Sequence, residues 1–573
     1  MADVVGAVDR RRAVDVPLVK PEVGRDQWTM RLLMVPIALY LVVTLALPLW
    51  VMLGKSVQDE AGRWVGLVHY ARYLATPALF TTIVNSFVVS IVATVITVPL
   101  AFVYAYALTR SAMPARGLFK TIALVPILVP SLLPGIGLVY LFGNQGLLKG
   151  LMLGQKIYGP IGIVLAEVFF TFPHAFLIIL TALSLADARL YEAAVSLRTP
   201  RRRIFFTVTL PGARYGLMSA VFVVFTLVIT DFGAPKVIGG QYNVLATDVY
   251  KQVIGQQNFQ MGAVVSVLLL IPAVFAFAAD RLVQRRQVAL LSARAVAYEP
   301  HRRPRFDVLM LAYCTAVAVF LVGIVAVSQY AALVKFFPYN LTLTLAHYDF
   351  DQKGGGGWQS YGNSIRMALG TAVAGTAIVF AGAYLVEKGR GFRWGRAAFH
   401  FLAMLPMAVP GLVLGLAYIF FFNDPRNPLG GLYRTMTILV LNTIAHFYTV
   451  AHLTALTALK QMDAEFEMVS ASLKQPFYRT FARVTVPVCL PAILDIAIYL
   501  YVNAMTTVSG VVFLWGPNTE LASISVLNMD DTGEVASAAA MAMMIFYTNV
   551  AARGVHLMLS RVLERRTQAW RKR

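Results

Sequence analysis

Three acidic residues, Glu167, Asp231 and Asp495, stand within apolar stretches of this sequence, as do His174, Asn442 and His446. An ionisable group in such a setting is costly and is a functional candidate by default. Glu167 and His174 are seven positions apart, which puts them on one helix face, and Asn442 and His446, four apart, share a face as well. Asp231, with Thr230 before it and Thr506, Thr507 and Ser509 in a later stretch, could line a polar path. The alternative is that each of these groups makes an ordinary hydrogen bond between helices. Covalent chemistry finds no support. There is no HExxH pattern, no nucleophile and base that spacing brings together, and no GxxxxGK[ST] loop to cradle phosphates. The expectation is a chain without catalysis, metal or cofactor of its own. Cys314 and Cys489 lack metal-ligand spacing and read as packing residues.

The elements that must position these groups follow from composition. Of 573 residues, 58% are hydrophobic and only 13% charged, against about 25% charged in a soluble domain. A span needs roughly 20 apolar residues, because each rises about 1.5 Å across about 30 Å of hydrocarbon. Apolar segments fall near 32–53, 83–108, 119–142, 158–185, 213–236 and 262–280, and again near 307–335, 364–386, 398–422, 435–459, 488–516 and 534–560. The fold class predicted is an all-α membrane protein of about twelve transmembrane helices, since lipid offers no partner to loose backbone groups.

Net charge is +21. Nucleic acid is one partner that such a charge could suggest, but the basic residues alternate with the apolar segments, as in membrane proteins whose cytoplasmic loops are rich in Lys and Arg. Arg10, Arg11, Arg12, Lys20 and Arg25 precede the first segment; Arg110 and Arg116 follow the second; Arg189, Arg198, Arg201, Arg202 and Arg203 follow the fourth. Arg281 to Arg305 fill the centre, Lys388 to Arg396 and Lys460 to Arg483 come later, and Arg561 to Arg573 end the sequence. All lie on one side if every segment crosses, so both termini are expected in the cytoplasm and the partner is lipid, not nucleic acid. No short apolar core with a cleavage site opens the sequence, so the first segment is expected to insert and stay. The boundaries expected are a cytoplasmic tail over 1–30, a first transmembrane unit over 31–284, a basic linker over 285–306, a second unit over 307–562 and a basic tail over 563–573. The opposite loops, 54–82, 237–261 and 336–362, are polar and aromatic, with a flexible run expected at Gly354–Gly357.

The second half repeats the first. Asn85-Ser86 recurs as Asn363-Ser364, and Pro126, Pro130 and Gly135 recur as Pro406, Pro410 and Gly415. The strongest match is DARLYEAAVSLRTPRRRIFFTVTLP at 187–211 with DAEFEMVSASLKQPFYRTFARVTVP at 463–487, aligned without a gap. Six crossings per copy make the two units parallel, with a path between them. In the first copy Asp187 suits a helix N-cap. Leu190, Ala193, Ala194 and Leu197 are spaced for an amphipathic helix. Thr199-Pro200 restarts the chain, Ile204, Phe205 and Val208 give a second stripe, and Pro211 is expected to end that helix. The second copy has Asp463 as cap and Gln475-Pro476 as bend. Such a loop could rest on headgroups; two matching copies point instead to a two-fold symmetric partner.

Glu192-Ala193-Ala194, Leu197 and Leu210-Pro211 resemble the EAA loop of ABC importer permeases, with Arg198 where that family has Gly. In the second copy Met468 takes the Glu position, Glu467 stands one residue early and Lys474 replaces the Gly. The resemblance implies that Asp187, Glu192, Ala193, Ala194, Leu197, Pro200 and Pro211, with Asp463, Glu467, Leu473, Pro476 and Pro487, couple the chain to two copies of a separate cytoplasmic ABC ATPase. It implies in addition a periplasmic or lipid-anchored solute-binding protein, a place in the bacterial inner membrane, and import by alternating access. Two units in one chain resemble the iron(III), thiamine and phosphonate group. Thr230-Asp231-Phe232-Gly233 and Thr506-Thr507-Val508-Ser509 sharpen that resemblance, and the run SISVLNMDDTGEVASAAAMA resembles the 2-aminoethylphosphonate permeases, which makes that solute the leading expectation and iron(III) or thiamine the alternative. An ion-driven secondary transporter is the more distant reading.

Overall fold

The computed structural model describes residues 24–288, 298–352, 356–389, 391–463 and 465–567. The N-terminal tail with Arg10, Arg11, Arg12 and Lys20 lies outside the described residues, as do Arg294, Gly354, Gly355, Arg390, Ala464 and the end with Arg571, Lys572 and Arg573. Among the described residues nine helices are long and apolar enough to cross a membrane, and the total reaches twelve when each of three bent helix pairs is taken as one span. They are Arg25–Lys55, Pro77–Arg110, the pair Arg116–Leu128 and Leu133–Phe142, then Pro160–Ser184, Arg201–Thr230 and Phe259–Gln284 in the first half. The second half has Pro304–Leu333, Gly357–Lys388, the pair Arg393–Ala408 and Gly411–Phe422, Met436–Gln461, the pair Phe477–Val488 and Leu490–Thr506, and Val535–Leu563. These are the twelve segments expected. Among the described residues a small hairpin, Val334–Phe336 with Asn340–Leu343, interrupts the helical pattern. Gly356 and Gly357, from the run expected to be flexible, hold left-handed conformations, with φ +76° and +59°, where helix Gly357–Lys388 begins.

The third segment of each half is not straight. The two arms meet at 104° in the first half and 113° in the second. The cause is the repeated proline: Val129 and Val409, each just before a proline, are extended rather than helical, because the ring of a following proline excludes the α conformation. Irregular backbone at membrane depth must be buried in protein. Val129, Pro130, Val409 and Pro410 are all buried, and the Leu128 carbonyl accepts a 3.0 Å hydrogen bond from Asn549 Nδ2 of the last span.

The first span of each half lies against the other half. Met30, Met34 and Leu41 pack with Val379, Phe380 and Ala383, and Tyr40 Oη donates to the Leu441 carbonyl at 2.9 Å. Helix Pro304–Leu333 packs on the first half, with Tyr313 Oη donating to the Leu100 carbonyl at 2.8 Å. Gly137 is required there: a Cβ on it would meet Ser328 Oγ at 2.7 Å and the Ile324 carbonyl at 2.9 Å. Two apolar clusters, each drawing residues from both halves, therefore hold the described residues together. Cys314 and Cys489 are buried and unbridged, as expected of packing residues.

Candidate functional site: two matching loops and two matching kinks

The loop at 187–211 begins with helix Ala188–Ser196, capped by Asp187, whose carboxylate accepts the Arg189 N–H at 3.1 Å. In the second copy Asp463 accepts the Glu465 N–H at 3.0 Å, ahead of helix Glu465–Ser472. Both helices end alike. Arg198 and Lys474 are left-handed, with φ +52° and +48°. Thr199 N–H returns to the Ala194 carbonyl and Gln475 N–H to the Ser470 carbonyl, each at 3.0 Å. This is a glycine-type helix stop built without glycine. It accounts for Arg198 and Lys474 standing where the resembling family has Gly. Pro200 and Pro476 then open the next helices from extended backbone.

Those next helices differ from the expectation. The first does not end at Pro211. It runs from Arg201 through a widened π turn at Phe205–Thr209 and on to Thr230 as the fifth span. The extra residue in the wide turn places Pro211 at the start of a renewed α ladder, where its missing N–H costs little. The second copy has the same wide turn at Phe481–Thr485 and passes Pro487, then bends by 75° at Cys489. Pro491, which the first copy lacks, follows the break.

Burial corrects the expected stripe. Ala188, Tyr191 and Ala194 face inward, while Leu190, Ala193 and Leu197 are exposed. Leu190, Val195 and Leu197, 59%, 64% and 79% exposed, make an outward apolar ridge. Glu192 is exposed beside it, and Pro211 and Pro487 are exposed as well. Met468, Val469 and Leu473 form the corresponding ridge of the second copy. The inward ties occupy equivalent positions but differ chemically. Arg110, at the end of the second span, donates from Nη2 to Tyr191 Oη at 3.3 Å and to the Leu183 carbonyl at 2.8 Å. Its guanidinium lies 4.9 Å from the Tyr191 ring and 4.8 Å from that of Tyr298. Lys388, at the end of the eighth span, instead pairs with Glu467 at 2.7 Å. Glu467 therefore faces inward, unlike the exposed Glu192. Behind the first loop lies a cavity of about 860 Å³, rimmed by Arg110, Glu192, Arg198, Tyr298 and Arg303.

The polar residues expected to line a path sit at two equivalent kinks. Asp231 and Thr507 are each the first extended residue after a fifth span. Thr230 and Thr506 each donate back to a carbonyl four residues earlier, at 2.8 and 3.0 Å. Asp231 accepts the Ala234 N–H at 2.9 Å and lies beside the Glu167 carboxyl. Thr507 is buried, and its carbonyl accepts from Ser523 Oγ at 2.6 Å. Asn442 Nδ2 donates to the Gly510 carbonyl at 2.8 Å, so it ties the tenth span to the turn after Thr507. Asp495 pairs with His556 at 3.0 Å. The kinks are locked against the broken third segments by a glycine–serine contact whose partners are exchanged. A Cβ on Gly233 would meet Ser131 Oγ at 2.1 Å, and one on Gly411 would meet Ser509 Oγ at 2.5 Å. Ser509 is thus a packing partner as well as a path candidate, a role that spacing alone did not reveal.

Residues 97–288, which contain the first loop and the first kink, match the family described as binding-protein-dependent transport system inner membrane component. The chain is 28% identical over 480 residues to a ferric transport system permease protein of Actinobacillus pleuropneumoniae, spanning 81% of this chain and 69% of that protein. A putative ferric transport system permease protein of Haemophilus influenzae is 27% identical over 78% of this chain and 72% of its own length. This chain is an ABC importer permease subunit. The permease is the fused, two-unit type, resides in the inner membrane as a multi-pass protein, and is not the ATPase; ATPase and binding-protein partners are implied. A solved bacterial ABC transporter involved in alginate import aligns with 46% of the permease and 97% of its own chain, at TM-score 0.40 and 15% identity.

Proposed function

We propose that this permease imports iron(III), with two copies of a cytoplasmic ABC ATPase seated on the loops at 187–211 and 463–487 and a periplasmic or lipid-anchored binding protein delivering solute to the opposite side. The observation that carries the docking reading is the recurrence of one capped helix, left-handed stop and second helix in both halves, each with an outward apolar ridge. Closure of the ATPases on ATP would favour one arrangement of the two halves through the difference in binding energy between states. Thr230, Asp231, Thr506, Thr507 and Ser509 mark the path at the two kinks.

Iron(III) is preferred because the two ferric permeases resemble this chain across both halves. The segment resembling 2-aminoethylphosphonate permeases, 523–542, is buried along most of its length. It is suited to packing rather than to solute contact, so its likeness argues less for a shared solute. The test is uptake into proteoliposomes holding the permease, its ATPase and its binding protein. ATP-dependent accumulation of radioactive iron(III), with no uptake of 2-aminoethylphosphonate, is expected. The reverse result would replace the solute and leave the docking reading intact.

A further inference from the structure

On the side away from the two loops, the halves meet through contacts that the path and the docking loops do not use. Lys236 Nζ lies 2.8 Å from Asp531 Oδ1. The lysine belongs to the short helix Gly233–Ile238 that follows the Asp231 kink, and the aspartate closes helix Ala522–Asp531 in the other half. The same ammonium lies 5.3 Å from the centre of the Tyr250 ring. Tyr250 also bridges the kinks. Its ring is 5.1 Å from that of Phe232, the residue after Asp231, and stacks at 6.2 Å on that of Phe513, in the turn after Thr507. Neither partner of the ion pair is repeated: the position equivalent to Lys236 is Val512, and that equivalent to Asp531, in the register set by the matching contacts of Leu245 and Ala522, is Ile254. The contact is therefore not a by-product of the duplication.

We propose that the Lys236–Asp531 pair and the Tyr250–Phe513 stack form a latch that closes the path between the two kinks on the side opposite the ATPase loops, and that its release admits delivered solute. The latch rests on ATP-coupled alternating access and on no particular solute. Its chemistry suits a contact that breaks in every cycle. The Lys236 and Asp531 side chains are 22% and 43% exposed, so water screens the pair and it parts at little cost, whereas a fully buried pair would be held far more firmly. The rings behind it exclude water from the path and can separate by rigid movement of the halves. Asp531 makes the direct contact with the lysine, at 2.8 Å; burial first, then the charge of Asp531, push the neighbouring Asp530 carboxyl up to about 6.

The test uses the permease assembled with its ATPase and binding protein in lipid nanodiscs and proteoliposomes, with Cys314→Ala and Cys489→Ala to remove the native thiols. Lys236→Cys with Asp531→Cys, bridged by a reducible bifunctional thiol reagent, should keep the ATPase bound yet lose transport at least tenfold, and reductant should restore it. Lys236→Asp and Asp531→Lys alone should each raise ATP turnover without solute several-fold, and the two together should lower it again. Transport at the unbridged rate by the bridged protein, or single variants with unchanged ATP turnover, would overturn the latch. An unbridged chain that fails to retain ATPase would instead count against the docking reading, and the latch would fall with it.

Discussion

The two loops share a backbone and differ in what holds them. Each has an aspartate cap, a left-handed basic residue at the stop, a proline restart and a wide π turn. Beneath that common shape, Tyr191 is gripped by Arg110 through a ring face and a hydroxyl, while Glu467 at the equivalent position is gripped by Lys388 through charge. Accessory contacts differ too. The Tyr298 ring of the linker lies tilted against that of Tyr191 at 4.8 Å, whereas Asp26, in the first turn of the first span, accepts the Phe477 N–H at 3.0 Å in the second loop. The conserved feature between the copies is thus a shape presented outward, and the inward chemistry is replaceable.

If that is right, the inward ties can be broken unequally. Arg110 is buried, and Arg110→Ala removes two ring contacts and the charged hydrogen bonds to the Leu183 carbonyl and Tyr191 Oη; a loss of roughly 3 kcal/mol is expected in denaturant unfolding of the detergent-solubilised chain. The exchanged glycine–serine contact gives the next largest effect. Gly233→Ser should cost about 2 kcal/mol through overpacking against Ser131, and adding Ser131→Gly, which copies the second half, should recover most of it. Lys388→Ala breaks a pair whose side chains are 12% and 25% exposed, so about 1–2 kcal/mol is expected, with a smaller difference from wild type at high salt. Arg198→Gly and Lys474→Gly should each stabilise by up to about 1 kcal/mol in the same assay, by relieving a left-handed residue. Equal responses at Arg110 and Lys388 would show that the two ties are less different than their geometry indicates.

Much of this was legible in the sequence. The twelve apolar segments, the Asp187 and Asp463 caps and the proline bends follow from hydropathy and local backbone chemistry, and the repeat register is upheld where Asp231 and Thr507 occupy equivalent kinks. Side-chain direction was not legible. Leu190 and Leu197 were spaced like a buried stripe but face out, because the buried face is taken by Ala188, Tyr191 and Ala194, with the Tyr191 ring held against Arg110 and Tyr298. Pro211 looked like a helix end because no local signal announces a π turn. The bend at Cys489 depends on Pro491, a residue without a counterpart in the first copy. The ion pair between Lys236 and Asp531 joins residues almost three hundred positions apart, and no periodicity reports such a contact.

The central claim is that both loops seat an ATPase. Leu197→Cys and Leu473→Cys, placed singly on the two exposed ridges in a chain lacking Cys314 and Cys489, should each cross-link to an ATPase subunit in the assembled transporter. Together they should capture two. A folded, monodisperse permease that cross-links through neither position, or through only one, would contradict the account.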